Sequence, residues 1–110
     1  MVNSSVVLSV IIVTYNSDKI IKECLDSIYK FNDLGSRIEI ILVDNSPIER
    51  PSNMFEMISR NFSAVVLIKN DVNGGYGYGN NVGINAAKGK YVLILNPDTR
   101  LVMPLFKDVV

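Results

Sequence analysis

Apolar residues along this chain fall into short, β-branched runs separated by stretches with helical spacing. Val6 to Val13 (VVLSVIIV) is almost continuously apolar, as in a strand buried on both faces, and only Ser9 interrupts it. It stops at Thr14, Tyr15 and Asn16. Beyond them Ser17 or Asp18 is placed to cap a helix whose apolar positions Ile20, Ile21, Cys24, Leu25 and Ile28 share one face, and which runs to about Phe31. A turn at Asn32 to Ser36 leads into a second strand, Ile38 to Val43, which ends at Asp44, Asn45, Ser46 and Pro47. Ser52 to Arg60 has the pattern of a second helix, and Ala64 to Ile68 that of a third strand. A tract rich in Gly and Asn follows, and its later part must open a helix reaching about Lys88, with Gly89 in the usual position past a helix end. Tyr91 to Leu95 is a fourth strand, stopped by Asn96, Pro97 and Asp98.

Strands alternating with helices imply right-handed crossovers and an α/β fold with a mostly parallel sheet flanked by helices. In such sheets ligands bind outside the carboxyl ends of the strands, near the point where the strand order reverses. Nearly every polar residue without another explanation sits at those ends: Thr14-Tyr15-Asn16, Asp44-Asn45-Ser46, the stretch from Asn70, and Asn96-Pro97-Asp98.

Composition narrows the chemistry available on that rim. The 110 residues make one domain or part of one, and 48% hydrophobic with 20% charged residues is the balance of a globular chain. Eleven basic residues offset eleven acidic ones, so no summed field draws in nucleic acid, and any phosphate must be held locally. Cys24 is the single cysteine, which excludes an internal disulfide and fits a reducing compartment. There is no histidine, so the commonest general base and transition-metal ligand are missing. A hard cation held by oxygens stays allowed. The Val6 to Val13 run is far shorter than the roughly 20 residues of a bilayer crossing, and no signal-peptide pattern precedes it. The expectation is a cytoplasmic protein, at most peripheral to the inner face of the membrane.

Two carboxylates, Asp44 and Asp98, emerge from apolar strands at the rim. Either one alone is ordinary as a cap or turn residue. Together, with Asn96 beside Asp98, they suit a divalent cation bound through oxygen, Mg2+ or Mn2+, that bridges phosphates. Tyr15 is placed to stack on a nucleotide base or to cover the edge of the core. Asn73 to Gly83 carries five glycines in eleven residues before a helix, which lets backbone N–H groups approach a phosphate or lets two segments cross closely. Gly77, Gly79 and Gly83, with Asp98 about 20 residues on, also approximate a dinucleotide fingerprint, although its spacing has one residue too many and it follows the third strand rather than the first. An NAD(P)-binding Rossmann domain and a non-catalytic α/β binding module are therefore the competing readings.

In order, LSVIIVTYNS from Leu8, ECLDSI from Glu23, EIILVDNS from Glu39 and NGGYGYGNNVGINAAKGKYVLILNPDT from Asn73 resemble the amino-terminal half of family 2 glycosyltransferases with the GT-A fold, the Rossmann-like fold of nucleotide-diphospho-sugar transferases. The resemblance implies a strand order of three, two, one, four and a nucleotide-diphospho-sugar donor site. Thr14 and Tyr15 would meet the base, with Asn16 beside them, and Asp44 would accept hydrogen bonds from base or ribose. Asn73 with Gly75, and Asn81 with Gly83, would line the nucleotide cleft. The family's D-x-D falls on Asn96-Pro97-Asp98, where Asn96 replaces the first acid, leaving Asp98 as the metal contact and Asn96 for the ribose. Asn-Pro-Asp is similar to rhamnosyltransferase-like members, which brings a dTDP-sugar into view beside UDP-sugars.

By this resemblance the chain is a truncated GT-A domain: residues 1–110 form the donor-binding part of an enzyme that transfers sugar to a glycan or lipid-linked acceptor in cell-surface polysaccharide synthesis. The catalytic base is expected beyond Val110, so the 110 residues themselves are expected to be inactive. Tyr91 to Leu95 would be an exposed edge through which the chain self-associates.

Overall fold

The computed structural model describes residues 5–46, 53–70 and 75–110. Four strands form one parallel sheet in the order β3-β2-β1-β4, where β1 is Leu8–Thr14, β2 Ile38–Asp44, β3 Val66–Lys69 and β4 Tyr91–Leu95. This is the order that the family resemblance implied. The order reverses at β1, where the chain leaves toward β2 and later returns as β4 on the other side.

The strand β1 is buried along its whole length, as its continuous apolar run predicts. Leu8, Val10 and Ile12 enter one core with Ile40 and Leu42, and Ile11 and Val13 enter another with Ile41 and Val43. The first core is covered by α1 (Ile21–Phe31) and α2 (Met54–Asn61). The second lies under α3 (Gly75–Ala86), which crosses β1 and β2. No helix among the described residues is long and apolar enough to cross a membrane.

Three local expectations need correction. Neither Ser17 nor Asp18 caps α1 with its side chain: the helix starts at Ile21, and the Ser17 carbonyl accepts from the Ile20 and Ile21 amides instead. The third strand starts at Val66 rather than Ala64, because Phe62 to Val65 closes a turn through the Val65 N–H to Phe62 carbonyl bond. The helix α3 ends at Ala86, and Gly89 is not a left-handed cap. It lies flat on β1, where an added Cβ would stand 2.7 Å from the Ser9 amide nitrogen. Ser9, the one polar residue in the buried run, explains that contact. Its Oγ accepts from the Gly89 amide at 2.8 Å and donates to Glu39 at 2.6 Å, and the same Glu39 oxygen accepts from the Lys88 amide.

The segment after β4, for which the sequence suggests no element, folds back along α1. Leu101 and Phe106 are buried in the first core, the Leu101 amide donates to Ser27 Oγ at 2.9 Å, and Phe106–Val109 forms a short helix, α4.

The glycines of the Gly/Asn tract divide by position. Gly79 and Gly83 face the sheet from inside α3: a Cβ at Gly83 would meet Ile11 Cγ2 at 2.5 Å, and one at Gly79 would meet Val13 Cγ1 and Asn45 Nδ2 at 2.8 Å. Gly77 has open space around it. Gly83→Ala is therefore expected to destabilise the fold by about 1–3 kcal/mol through overpacking. Gly77→Ala should leave it unchanged or up to about 1 kcal/mol more stable, since Ala favours the helix. Urea unfolding of the two variants side by side measures both effects; equal stabilities would mean that α3 does not need the close approach.

Candidate functional site

The parallel register lines up Thr14, Asp44 and Lys69 as one row across β1, β2 and β3 at the carboxyl ends of the strands. The Asp44 carboxylate is the centre of this row. Its Oδ1 accepts from Thr14 Oγ1 at 2.8 Å, from Ser46 Oγ at 2.7 Å and from the Ser46 amide at 3.3 Å, while Oδ2 accepts from Lys69 Nζ at 3.1 Å. Lys69 Nζ also donates to the Ser46 carbonyl. Burial pushes the Asp44 carboxyl up, but the hydrogen bonds from Ser46, Thr14 and Lys69 outweigh it and hold the group below its ordinary value.

Beyond that row the rim opens outward. Tyr15 follows β1 with about half of its surface exposed (52%), so its ring is available to stack rather than buried as a core cover. Asn16 is exposed in the left-handed region (φ 51°), and its amide donates to Ser46 Oγ at 2.7 Å. On the far side of β1, β4 leaves the sheet at Leu95, opposite Ile12, and Asn96 to Asp98 turn over with the Thr99 amide bonded to the Asn96 carbonyl at 3.0 Å. Asn96 and Asp98 are both exposed. Behind this turn sits Cys24, whose thiol is pushed up to about 11 by burial and by the charge of Asp98, so it stays protonated and inert at neutral pH.

Of the residues singled out in the sequence, the structure brings Thr14, Tyr15, Asn16, Asp44, Asn96 and Asp98 to one rim. Thr14, expected on the base, is fully buried with its hydroxyl turned into Asp44, because the β1–β2 register sets the two side by side. It can hold Asp44 but presents nothing to a ligand. Gly75 opens α3 with φ 87°, and its carbonyl accepts from Asn45. Asn81 is exposed on α3, while Gly83, expected to line the cleft, lies under the helix against Ile11 and Val43. Asn73 lies outside the described residues. Gly77, Gly79 and Gly83 all fall within α3 rather than in a turn before it, which removes the geometry of a dinucleotide fingerprint.

Three residues received no role from the sequence, although Asn45 stood among the strand-end residues. Lys69 is an edge-strand lysine whose role exists only through the register. Asn45 is buried and bonded to both Asn70 and Gly75. Asn80 is buried, and its Oδ1 has no hydrogen-bond partner among the described residues. No local pattern separates these three from ordinary polar residues. A cavity of about 370 Å3 between α1 and residues 100–102, lined by Glu23, Ser27, Lys30, Phe31 and Arg100 among others, includes none of the rim residues.

For a metal, the donor set is sparse. No group of three or more His, Cys, Asp or Glu among the described residues could hold an ion, and Asp44 is occupied by its own hydrogen bonds. Exposed Asp98 fits an ion that takes one carboxylate from the protein and its other ligands from phosphates and water, as Mg2+ does.

The profile of the family described as "Glycosyl transferase family 2" matches residues 9–108. The "Poly(ribitol-phosphate) beta-glucosyltransferase" of Bacillus spizizenii is 35% identical over 92 residues, covering 83% of this chain and 14% of that protein. Among solved structures, S. aureus TarS 1-349 in complex with UDP superposes with a TM-score of 0.81 at 26% identity, over 94% of this chain and 30% of the other. The mannosyltransferase PcManGT of Pyrobaculum calidifontis, solved with GDP-Man and Mn2+, has a TM-score of 0.76 at 22% identity, over 89% of this chain and 29% of the other, and shows the shared fold alone. The chain thus spans less than a third of the length of each of these proteins.

The depressed Asp44 carboxyl has a consequence for stability. A carboxyl held lower in the folded than in the unfolded chain contributes stability that is present above the unfolded value, about 3.9, and is lost as pH falls through the folded value. Wild type is therefore expected to exceed Asp44→Asn in stability at pH 7, with the gap shrinking as pH is lowered below about 4. Urea titrations across that range measure it, and a gap independent of pH would show that the hydrogen bonds do not discriminate the ionised form.

Proposed function

This chain belongs to glycosyl transferase family 2, and from that membership we propose that it binds the nucleotide diphosphate of an activated sugar at the rim where β1, β2 and β4 end. The observation that carries the proposal is the convergence of exposed Tyr15, Asp44 and exposed Asn96 and Asp98 at the point where the strand order reverses. Tyr15 stacks on the base. Asp44, held rigid by Thr14, Ser46 and Lys69, offers Oδ2, its less occupied oxygen, to base or ribose. Asn96 accepts from the ribose, and Asp98 is the residue that would hold Mg2+ or Mn2+. That ion, when bound, neutralises charge on the departing diphosphate. Asn81 completes the cleft from the α3 side.

A UDP-sugar is the first donor candidate, supported by the TarS structures solved with UDP and with UDP-GlcNAc. A dTDP-sugar is the second, on the Asn96-Pro97-Asp98 sequence. The parent enzyme then transfers sugar to a surface polymer, a reading supported by the poly(ribitol phosphate) named for the Bacillus spizizenii relative.

Calorimetric titration of UDP and UMP with and without Mn2+ tests the site. Asp98→Ala is expected to abolish the Mn2+ enhancement of UDP binding, and Asn96→Ala to weaken binding less. Asp44→Asn should weaken UMP as much as UDP and keep the Mn2+ response. Unchanged UDP affinity of Asp98→Ala in Mn2+ would sink the metal assignment.

The edge of the sheet supports a further expectation. Val92 and Ile94 of β4 are 41% and 40% exposed, and β4 pairs only with β1 among the described residues. The 110-residue chain is expected to self-associate through this strand, and Val92→Lys to restore the monomer. Sedimentation over a concentration series measures it; a wild-type monomer at high concentration refutes the edge pairing.

A further inference from the structure

We propose that Lys69 is a specificity-determining residue of the nucleotide site, which together with Asp44 reads the far edge of the base and selects uracil or thymine over cytosine. The inference rests on the nucleotide-binding reading above and names the base class of that same site. Lys69 closes β3 in register with Asp44, so the two side chains emerge next to each other at the strand ends. Lys69 Nζ stands 3.1 Å from Asp44 Oδ2 and also donates to the Ser46 carbonyl.

Counting bonds leaves one place open on each partner. An ammonium has three N–H donors, and among the described residues only two of those on Lys69 are used. A carboxylate oxygen has two lone pairs, and among the described residues Asp44 Oδ2 accepts only from Lys69, because Thr14 and Ser46 are gathered on Oδ1. The pair is reached from outside, since the side chains of Lys69 and Asp44 keep 31% and 10% of their surface exposed. A free donor thus stands beside a free acceptor.

The strand order then fixes which group meets which atom of the base. Ribose and diphosphate are assigned to Asn96 and Asp98 after β4, so the base reaches past Tyr15 at the end of β1 toward β2, with β3 farthest away. Asp44 is met first and Lys69 second. Counted outward from the ribose, the pyrimidine N3 comes before the substituent on C4. In uracil and thymine N3–H donates and the C4 carbonyl accepts, which complements an acceptor followed by a donor. In cytosine both are inverted. Its N3 is a bare acceptor against the carboxylate, and its C4 amino group is a donor against the ammonium. A site built to be hydrogen-bonded rejects a ligand that leaves its polar groups unpaired. The ion pair that fastens β2 to β3 is thereby also what tells the bases apart.

The test is calorimetric titration of the chain in Mn2+ with UDP, dTDP and CDP at neutral pH. UDP and CDP match in size and charge and differ only at this edge. Wild type is expected to bind UDP about a hundredfold more tightly than CDP, roughly tenfold for each of the two mismatched groups. It should also prefer dTDP to CDP, and the tighter of UDP and dTDP identifies the base of the donor. Lys69→Met, which keeps the stem and removes the donor, should weaken UDP about tenfold and leave CDP unchanged, so that the preference falls to about tenfold. Should Lys69→Met fail to fold, Lys69→Gln, whose amide turns either its oxygen or its nitrogen to the ligand, decides by the same narrowing of the ratio. If Lys69 only fastens the strands, its loss weakens UDP and CDP alike. That result overturns the proposal, as does a wild type that does not distinguish UDP from CDP. A wild type that binds none of the three overturns the donor site itself rather than the role of Lys69 within it.

Discussion

The carboxylate of Asp44 is the interaction on which the rim depends. Three strands end beside one another, and parallel strands present no hairpin to hold those ends together. The hydrogen bonds to Thr14, Ser46 and Lys69 perform that task from a single side chain. Each donor comes from a different segment, so the register of β1 with β2 and of β2 with β3 is fastened at the same point. Ionisation makes these bonds stronger than neutral ones, which is why a charged group survives at a nearly buried position. The adjacent Asn45 extends the same anchoring to α3.

The two faces of the sheet are built differently. On one, α1, α2 and the returning segment with Leu101 and Phe106 make a deep core from large side chains. On the other, α3 comes close enough that glycine replaces a side chain at two points, and it packs chiefly on β1 and β2. The same glycines that resemble a phosphate loop thus serve largely to seat a helix, while the polar residues that remain exposed lie at the strand ends.

Much of this was legible in the sequence because it is local. The apolar runs located all four strands, the breaks at Thr14, Asp44 and Asn96 located the rim, and the ordered motifs supplied the strand order and the family. What was not legible depends on contacts distant along the chain. Gly89 looks like a helix stop, and only the approach of Ser9, 80 residues away, shows why glycine stands there. Ser17 looks like a cap, yet its hydroxyl bonds the Tyr15 backbone. Leu101 and Phe106 carry no periodicity, and only a core vacancy beside α1 gives them a place. Thr14 was placed on the base because a motif gives position without side-chain direction.

The fit of Gly83 against Ile11 couples two positions that the chain separates widely. With no room between them, volume added at one must be removed at the other, so the two sites cannot drift independently through descent. Homologous chains in which position 83 has gained a methyl group should carry a smaller residue at position 11, and this pairing offers a register mark for aligning distant sequences where the glycine tract itself is ambiguous.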